Sequence, residues 1–365
     1  MQKTIQAKVI SPTQRKLRLL NKEYDNFQLY LNGVDWLDNL YSATKQQADK
    51  VLRNKNPKNE QPMILRNDCI RLVCKETKLT KWWIKIPVYN VHGGIYVPIV
   101  FSRKQENLIY EGKICDSELI KRGKDFYVHI VIKKEIQMRK VYNDVLAIDM
   151  GIRRIASVIQ FSTRKPVFYG KELRQLRGHH FYLRKKVQSK KIKHLNRWLR
   201  KSREQRQTNY WLHKYAKQIV EQAKDTNSFI VLGDLRHIRK SGEKKGRKFR
   251  RKLNSFPFYK LSAYIKYKAE TEGIEVIEVS EAYTSQTCWK CGEKGMRRQG
   301  LFKCGLCGIE DNADRNGAIN IAKRGIGQAL SQGLSLTKPE SLAENIENRV
   351  FDATRQEPHS LQAWE

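Results

Sequence analysis

The chain has 365 residues, enough for two or three domains with cores of their own, and a formal net charge of +35. Self-repulsion of that size destabilises a compact protein unless a polyanion neutralises it, so nucleic acid is the expected partner. No run approaches the ~18 apolar residues of a membrane span, and residues 1–10 lack a signal-peptide core, which argues against a membrane or secreted protein.

In residues 1–10, Ile5, Ala7 and Val9 alternate with Gln6 and Lys8, which predicts a strand entering a turn at Ser11-Pro12. Over 14–72 the apolar period lengthens to three or four residues (Tyr24, Phe27, Leu31; Trp36, Leu40, Ala43), the spacing of helices, with a turn at 54–57. Strands return over 79–134 in the runs WWIKIPVYN, GGIYVPIVF, NLIYEGKIC and FYVHIVIK. The expected arrangement is a small antiparallel barrel interrupted near its start by a helical insertion. Trp82, Trp83, Tyr96, Phe101 and Tyr110 are either core residues or stacking platforms for bases.

A boundary falls near Met138, and Asp144-Val-Leu-Ala-Ile-Asp149 then reads as a buried strand, followed by a turn and a second strand. A carboxylate such as Asp149 in an apolar run needs a cation or hydrogen-bond donors; N–H groups of the turn at Gly151 would also serve. Residues 171–220 are helical and carry 16 Lys/Arg against two acids. Ile192, Leu195, Trp198, Leu199, Trp211, Tyr215 and Ile219 make one apolar stripe, which leaves a basic face for phosphate. FIVLGDL from Phe229 is another buried strand, 236–252 a basic loop, 258–272 a helix and 274–280 a strand. Strand, strand, basic helices, strand, helix, strand is the order of an α/β domain with a partly parallel sheet.

Two CxxC pairs follow, Cys288/Cys291 and Cys304/Cys307, each placing two thiols on one tight turn, and together they predict a tetrahedral zinc ribbon. Gly292, Gly305 and Gly308 stand where such knuckles favour positive φ. The other cysteines, Cys69, Cys74 and Cys115, are scattered, which suits a reducing interior and not a disulfide framework. Asp311-Asn-Ala-Asp314 then opens an apolar helix through Ala318, Ile319, Ile321 and Ala322. Over 326–365 acids outnumber bases six to three, which reads as a flexible tail.

In order, AIDMGIRRIA, FIVLGDLRHIR, EAYTSQTCWKCG, FKCGLCG and NADRNGAINIAKR resemble the C-terminal half of the TnpB family, transposon-encoded relatives of the type V CRISPR effector nucleases. The motifs cover roughly 145–324; residues 1–140 fit by layout alone. The resemblance implies an α/β RNase H-like (RuvC-type) nuclease domain with an inserted zinc ribbon, plus an N-terminal β-barrel with a helical insertion. The corresponding division is 1–13 and 77–140 for a wedge barrel, 14–76 for a helical recognition insertion, 141–281 and 311–325 for the RuvC-like domain, 282–310 for the ribbon and 326–365 for the tail. It further implies a guide RNA from the transposon end, cutting of double-stranded DNA beside a short adjacent motif, and a prokaryotic cytoplasm or nucleoid as the location.

Two-metal phosphodiester hydrolysis needs several carboxylates converging on one point, and magnesium prefers such hard oxygen ligands. Asp149 and Asp314 match the family's first and third acidic positions, although Asp314 at a helix start is also a natural N-cap, as are Asn312 and Asp311. At the second position many relatives carry Glu-Asp-Leu, where this chain has Gly233-Asp234-Leu235. Three readings are open. Glu281, at the end of the next parallel strand, reaches the same metal across the ~4.8 Å between strands; Asp234 swings in, against the alternation of the strand; or the site is incomplete and the protein is a guided DNA-binding repressor, with Glu281 a surface residue. The catalytic candidates are therefore Asp149, Glu281 and Asp314 with Mg²⁺, beside a structural Zn²⁺ on the four thiols. The nucleic-acid candidates are Arg184, Lys185, Lys186, Lys190, Lys191, Arg197 and Arg200 on the basic helices, Arg239, Lys240 and Arg250 in the basic loop, and Arg297 and Arg298 in the ribbon.

Overall fold

The computed structural model describes residues 1–33, 39–54, 60–190, 203–234, 246–298 and 300–337. The chain divides into two compact units, Met1–Glu135 and Ile136–Glu365.

In the first unit, alternation in β1 (Gln2–Val9) buries Ile5, Ala7 and Val9. β1 pairs antiparallel with β8 (Asp125–Lys133) and, at its far end, with β5 (Ile95–Val100). The sheet continues from β8 through β7 (Ser117–Arg122) to β2 (Met63–Leu65), and from β5 through β4 (Trp82–Ile86) to β3 (Arg71–Cys74), with β6 (Lys113–Ile114) also on β8. The end strands β2 and β3 are not paired with each other among the described residues, so the pairing itself is that of an open sheet. Helix α1 (Gln14–Leu31) starts at Thr13, whose hydroxyl accepts from Lys16 N, and buries Leu20, Tyr24 and Phe27; α2 (Ser42–Asn54) packs on it.

Two expectations for this unit are corrected. Helical structure does not extend to 72, because Met63 and Leu65 are buried at the spacing of a strand and pair with β7. NLIYEGKIC is mostly α3 (Arg103–Glu111), started by a reciprocal Ser102–Gln105 capping box; only Lys113–Ile114 is strand. Trp82 is core, packed on Phe101 and Tyr110, whereas Tyr96 and Tyr110 have exposed rings. Trp36 and the turn at 55–57 lie outside the described residues.

The second unit is built on a five-stranded sheet ordered β12 (Pro166–Tyr169), β11 (Ala156–Gln160), β10 (Asp144–Asp149), β13 (Ser228–Asp234) and β14 (Val276–Ser280). The first three strands are antiparallel; β10, β13 and β14 run parallel. Val145 to Ile148 and Phe229 to Leu232 are buried without alternation, as strands covered on both faces must be. Helices α4 (Lys171–Ser189) and α5 (Glu204–Asp225) precede β13, and α6 (Arg247–Ser255) and α7 (Phe258–Thr271) precede β14. The last helix, α8 (Ala313–Ser331), lies across β10, β11, β13 and β14. It comes so close that a β-carbon on Gly325 would fall 2.3 Å from Val231.

The expectation of a loop through 252 is corrected over its last residues: 247–255 is helix, anchored by buried Leu253 and by stacking of Arg251 on Phe181 at 3.9 Å. The first residues expected in the tail are not tail. Ile326 and Ala329 are buried on α8, and β18 (Ser335–Leu336) pairs in parallel with β9 (Val141–Tyr142), so 326–337 belongs to the folded unit. Residues 338–365, like 191–202 and 235–245 with their apolar and basic candidates, lie outside the described residues.

Candidate active site and metal centre

Asp149 ends β10 one residue beyond Ile148, which pairs with Leu232, so it stands level with Gly233 on the neighbouring strand. Glu281 follows the last residue of β14 and turns back over that glycine: a β-carbon on Gly233 would lie 1.8 Å from its Oε1 and 2.3 Å from its Cδ and Cγ. The missing side chain thus makes the space that Glu281 fills. Oε1 is buried without a hydrogen-bond partner, while the Met150 backbone N–H donates to the carboxylate. Burial first, then the charge of Asp149 and, more weakly, that of Asp234, pushes Glu281 up to about 8. Burial and the charge of Asp314 push Asp149 up to about 7, opposed by Arg297.

Asp314 lies in the first turn of α8, where the helix dipole favours a carboxylate. It does not cap the helix. Asn312 does, its side-chain oxygen accepting from the backbone N–H groups of Asp314 and Arg315 at 2.9 and 3.3 Å. Asp311 instead accepts from the Trp289 indole N–H at 3.1 Å and pairs with Arg315. One turn further on, Gly317 lets the helix pass Asp149, whose Oδ2 would be 3.2 Å from any β-carbon there. The structure therefore gathers Asp149, Glu281 and Asp314 at one end of the sheet, under the start of α8. The three carboxylates are not all within 4.8 Å of one another; among the described residues only the four thiols are. Two buried carboxyls whose proton affinity is raised, one of them with an orphaned oxygen, form a donor set that fits a hard divalent cation.

The ribbon is a three-stranded sheet, β15 (Met296–Arg298), β16 (Leu301–Lys303) and β17 (Glu310–Asn312). Cys288 Sγ lies 3.6 Å from Cys307 Sγ, and Cys291 Sγ 3.4 Å from Cys304 Sγ. Four converging thiols on two knuckles fit zinc. Gly292 and Gly308 have the expected positive φ (81° and 68°), but Gly305 does not, so the first residue after Cys304 needs no left-handed backbone. Alternation separates the two ribbon arginines. Arg297, level with buried Phe302, reaches Asp314 at 3.3 Å, while Arg298 stands on the other face with Met296.

One set of residues escaped the sequence reading. Asn316, Asn320, Lys323 and Arg324 recur at helical spacing on α8, and all four bond to the chain between Ser280 and Trp289. The signal was present as two asparagines, four apart, inside an apolar helix.

Of the basic candidates, Lys185, Lys186 and Lys190 are exposed at the end of α4, and Arg250 is exposed on α6. Arg184, by contrast, is ion-paired with Glu204. Lys191, Arg197, Arg200, Arg239 and Lys240 lie outside the described residues.

The family model for the Cas12f1-like TNB domain matches residues 258–321, the stretch from α7 through the ribbon into α8. The CRISPR-associated endodeoxyribonuclease Cas12f2 of a Micrarchaeota archaeon is 32% identical over 264 residues, 65% of this chain and 47% of that protein, so the chain spans about half the length of that relative. TnpB-like protein MJ0751 of Methanocaldococcus jannaschii is 30% identical over 268 residues, 67% of this chain and 92% of that protein. Among solved structures, a Cas12f1–sgRNA–target DNA complex is similar over 88% of this chain and 99% of its own, at 15% identity and a TM-score of 0.41.

Proposed function

This chain belongs to the TnpB-like protein family, and from that premise we propose that it is an RNA-guided DNA endonuclease that cuts double-stranded DNA with Asp149, Glu281 and Asp314. The observation that carries the reading is the carboxylate of Glu281 lying across Gly233 beside Asp149. A glutamate displaced from β13 to the end of β14 supplies the same charge at the same place. The strand order of the second unit, with its first strand central and the fourth and fifth parallel to it, supports an RNase H-like, RuvC-type domain.

Asp149, Glu281 and Asp314 would hold divalent cations, which supply positive charge for the attacking and leaving oxygens of a phosphodiester. Arg297, on the ribbon face toward Asp314, stands where it can meet a phosphate entering the site. Lys185, Lys186, Lys190 and Arg250 offer phosphate contacts for guide and heteroduplex, whose sequence is read by base pairing. The four thiols of the ribbon would hold Zn²⁺ as a structural ion.

A second reading, a guided repressor that binds without cutting, draws on the engagement of Asp314 by Arg297 and on the spacing of the three acids. The experiment combines purified protein with its guide, Mg²⁺ and matched duplex, and compares wild type with Glu281→Gln and Asp149→Ala. Cleavage by wild type, lost in both variants with binding retained, supports the nuclease. Tight binding without cleavage by wild type supports the repressor, and undiminished cleavage by Glu281→Gln removes that residue from the site.

A further inference from the structure

Glu281 differs from a strand glutamate in one physical respect. A residue inside β13 would have its backbone fixed on both sides by the sheet, whereas Glu281 sits past the end of β14 on a loop. A displaced ligand needs another source of rigidity, because a carboxylate that wanders by an ångström loses most of its value at a reaction centre. The loop alone does not supply it: Tyr283 is held at φ 61°, a conformation that costs a bulky residue free energy unless its surroundings enforce it.

The surroundings are one face of α8. The side-chain amide of Asn316 donates to the carbonyls of Thr284 and Thr287 at 3.2 and 2.7 Å, and that of Asn320 donates to the same two carbonyls at 2.8 and 2.7 Å. Asn316 Oδ1 accepts from Trp289 N at 3.0 Å, so its whole amide is used. Thr284 passes the constraint on, its backbone N–H and its hydroxyl both donating to the carbonyl of Glu281 at 3.2 and 2.9 Å. Arg324 holds the preceding carbonyl, that of Ser280, at 2.6 Å. Both asparagines are buried, at 0% and 8% exposure, so leaving their amides unpaired would be costly and the geometry is strongly enforced.

We infer that Asn316 and Asn320 are positioning residues for Glu281, acting through Thr284, so that the helix which carries Asp314 also sets the glutamate opposite it. The inference rests on the reading of Glu281 as a cation ligand. It gives α8 three tasks: Asp314 contributes a carboxylate, Gly317 makes room for Asp149, and the two amides fix the loop that replaces the strand glutamate.

The test uses the full chain and Mn²⁺ binding followed by calorimetry, with zinc content and melting temperature measured alongside. Asn320→Ala is expected to weaken Mn²⁺ binding about 10-fold, the usual effect of removing a group that orients a metal ligand. Thr284→Val keeps the shape and the backbone donor but removes the hydroxyl; it is expected to weaken Mn²⁺ binding several-fold with zinc retained, and it carries the test if Asn320→Ala fails to fold. Combined with Glu281→Gln, either change should add nothing, since the ligand it orients is already gone. The inference is overturned if both variants bind Mn²⁺ as wild type does, or if their losses add in full to that of Glu281→Gln. Should Glu281→Gln alone leave Mn²⁺ binding unchanged, the ligand reading of Glu281 falls, and this inference with it.

Discussion

Glu281 and Gly233 are complementary: the side chain of one occupies the volume that the other leaves empty, with Oε1 1.8 Å from where a β-carbon on Gly233 would be. With Glu281 in this place, position 233 has no room for a side chain. Gly233→Ala must drive the carboxylate off the strand, and a displacement of about 1 Å at a reaction centre costs on the order of 10²-fold. Guided cleavage by Gly233→Ala is therefore expected to fall by that factor, with DNA binding unchanged. Moving the glutamate back, as Gly233→Glu with Glu281→Ala, is expected to recover activity above Glu281→Ala alone. Wild-type cleavage by Gly233→Ala would show that Glu281 is free to leave without consequence.

The raised carboxyls give a pH dependence whose sign follows from linkage. Folded Asp149 titrates at about 7 and Glu281 at about 8, against ordinary values of 3.8 and 4.5. Between about pH 4 and pH 8 the folded protein retains protons that the unfolded chain has released, so without divalent cations stability falls as pH rises through that window; below it the penalty vanishes. Asp149→Asn removes part of this decline and is expected to stabilise the chelated protein at about pH 8 by on the order of 2 kcal/mol. Mn²⁺ affinity is expected to climb over the same window with release of protons. Thermal melts in chelator and calorimetry in two buffers of different ionisation enthalpy check both statements.

The four thiols predict about one zinc per chain, and Cys304→Ser is expected to lose it. Because α8 bonds directly to the chain up to Trp289, loss of the ribbon should be felt in the second unit, as a melting point lower by about 5 °C. Cys69→Ser, in the other unit, is the control and should keep its zinc. Retention of zinc by Cys304→Ser would rule out the tetrathiolate site.

Lysines and arginines that look alike in the sequence should separate by experiment. Lys185→Ala and Lys186→Ala remove exposed charges, and each is expected to reduce the slope of log K against log salt for nucleic-acid binding by about 1. Arg184→Ala removes a guanidinium already paired with Glu204 and should leave the slope as it is, costing at most about 1 kcal/mol of stability. An equal slope change in all three variants would contradict this division.

How much was legible in the sequence depended on whether local pattern or tertiary contact decided the matter. The apolar runs ending at Asp149 and Gly233 announced buried strands, and the two CxxC pairs announced converging thiols, because spacing alone sets those geometries. NLIY reads as strand by composition, yet the Ser102–Gln105 capping box turned it into helix. The continuation of α8 past 325 depended on Ile326 and Ala329 finding partners in the core, which no local pattern announces. At the site, Glu281 was open to three readings because its role depends on a turn made after the strand ends. Which of Asp311, Asn312 and Asp314 caps α8 was decided by geometry alone, and the cap is Asn312. Asn316 and Asn320 could not be singled out, since an asparagine in sequence does not say whose carbonyl it will meet.

The most direct test of the central claim, that Asp149, Glu281 and Asp314 share cations, is anomalous diffraction from crystals of the chain grown with Mn²⁺. The account predicts peaks bounded by all three carboxylates, with an oxygen of Glu281 in direct coordination. A Mn²⁺ bound by Asp149 and Asp314 with Glu281 turned away, or no peak at this end of the sheet, would contradict it.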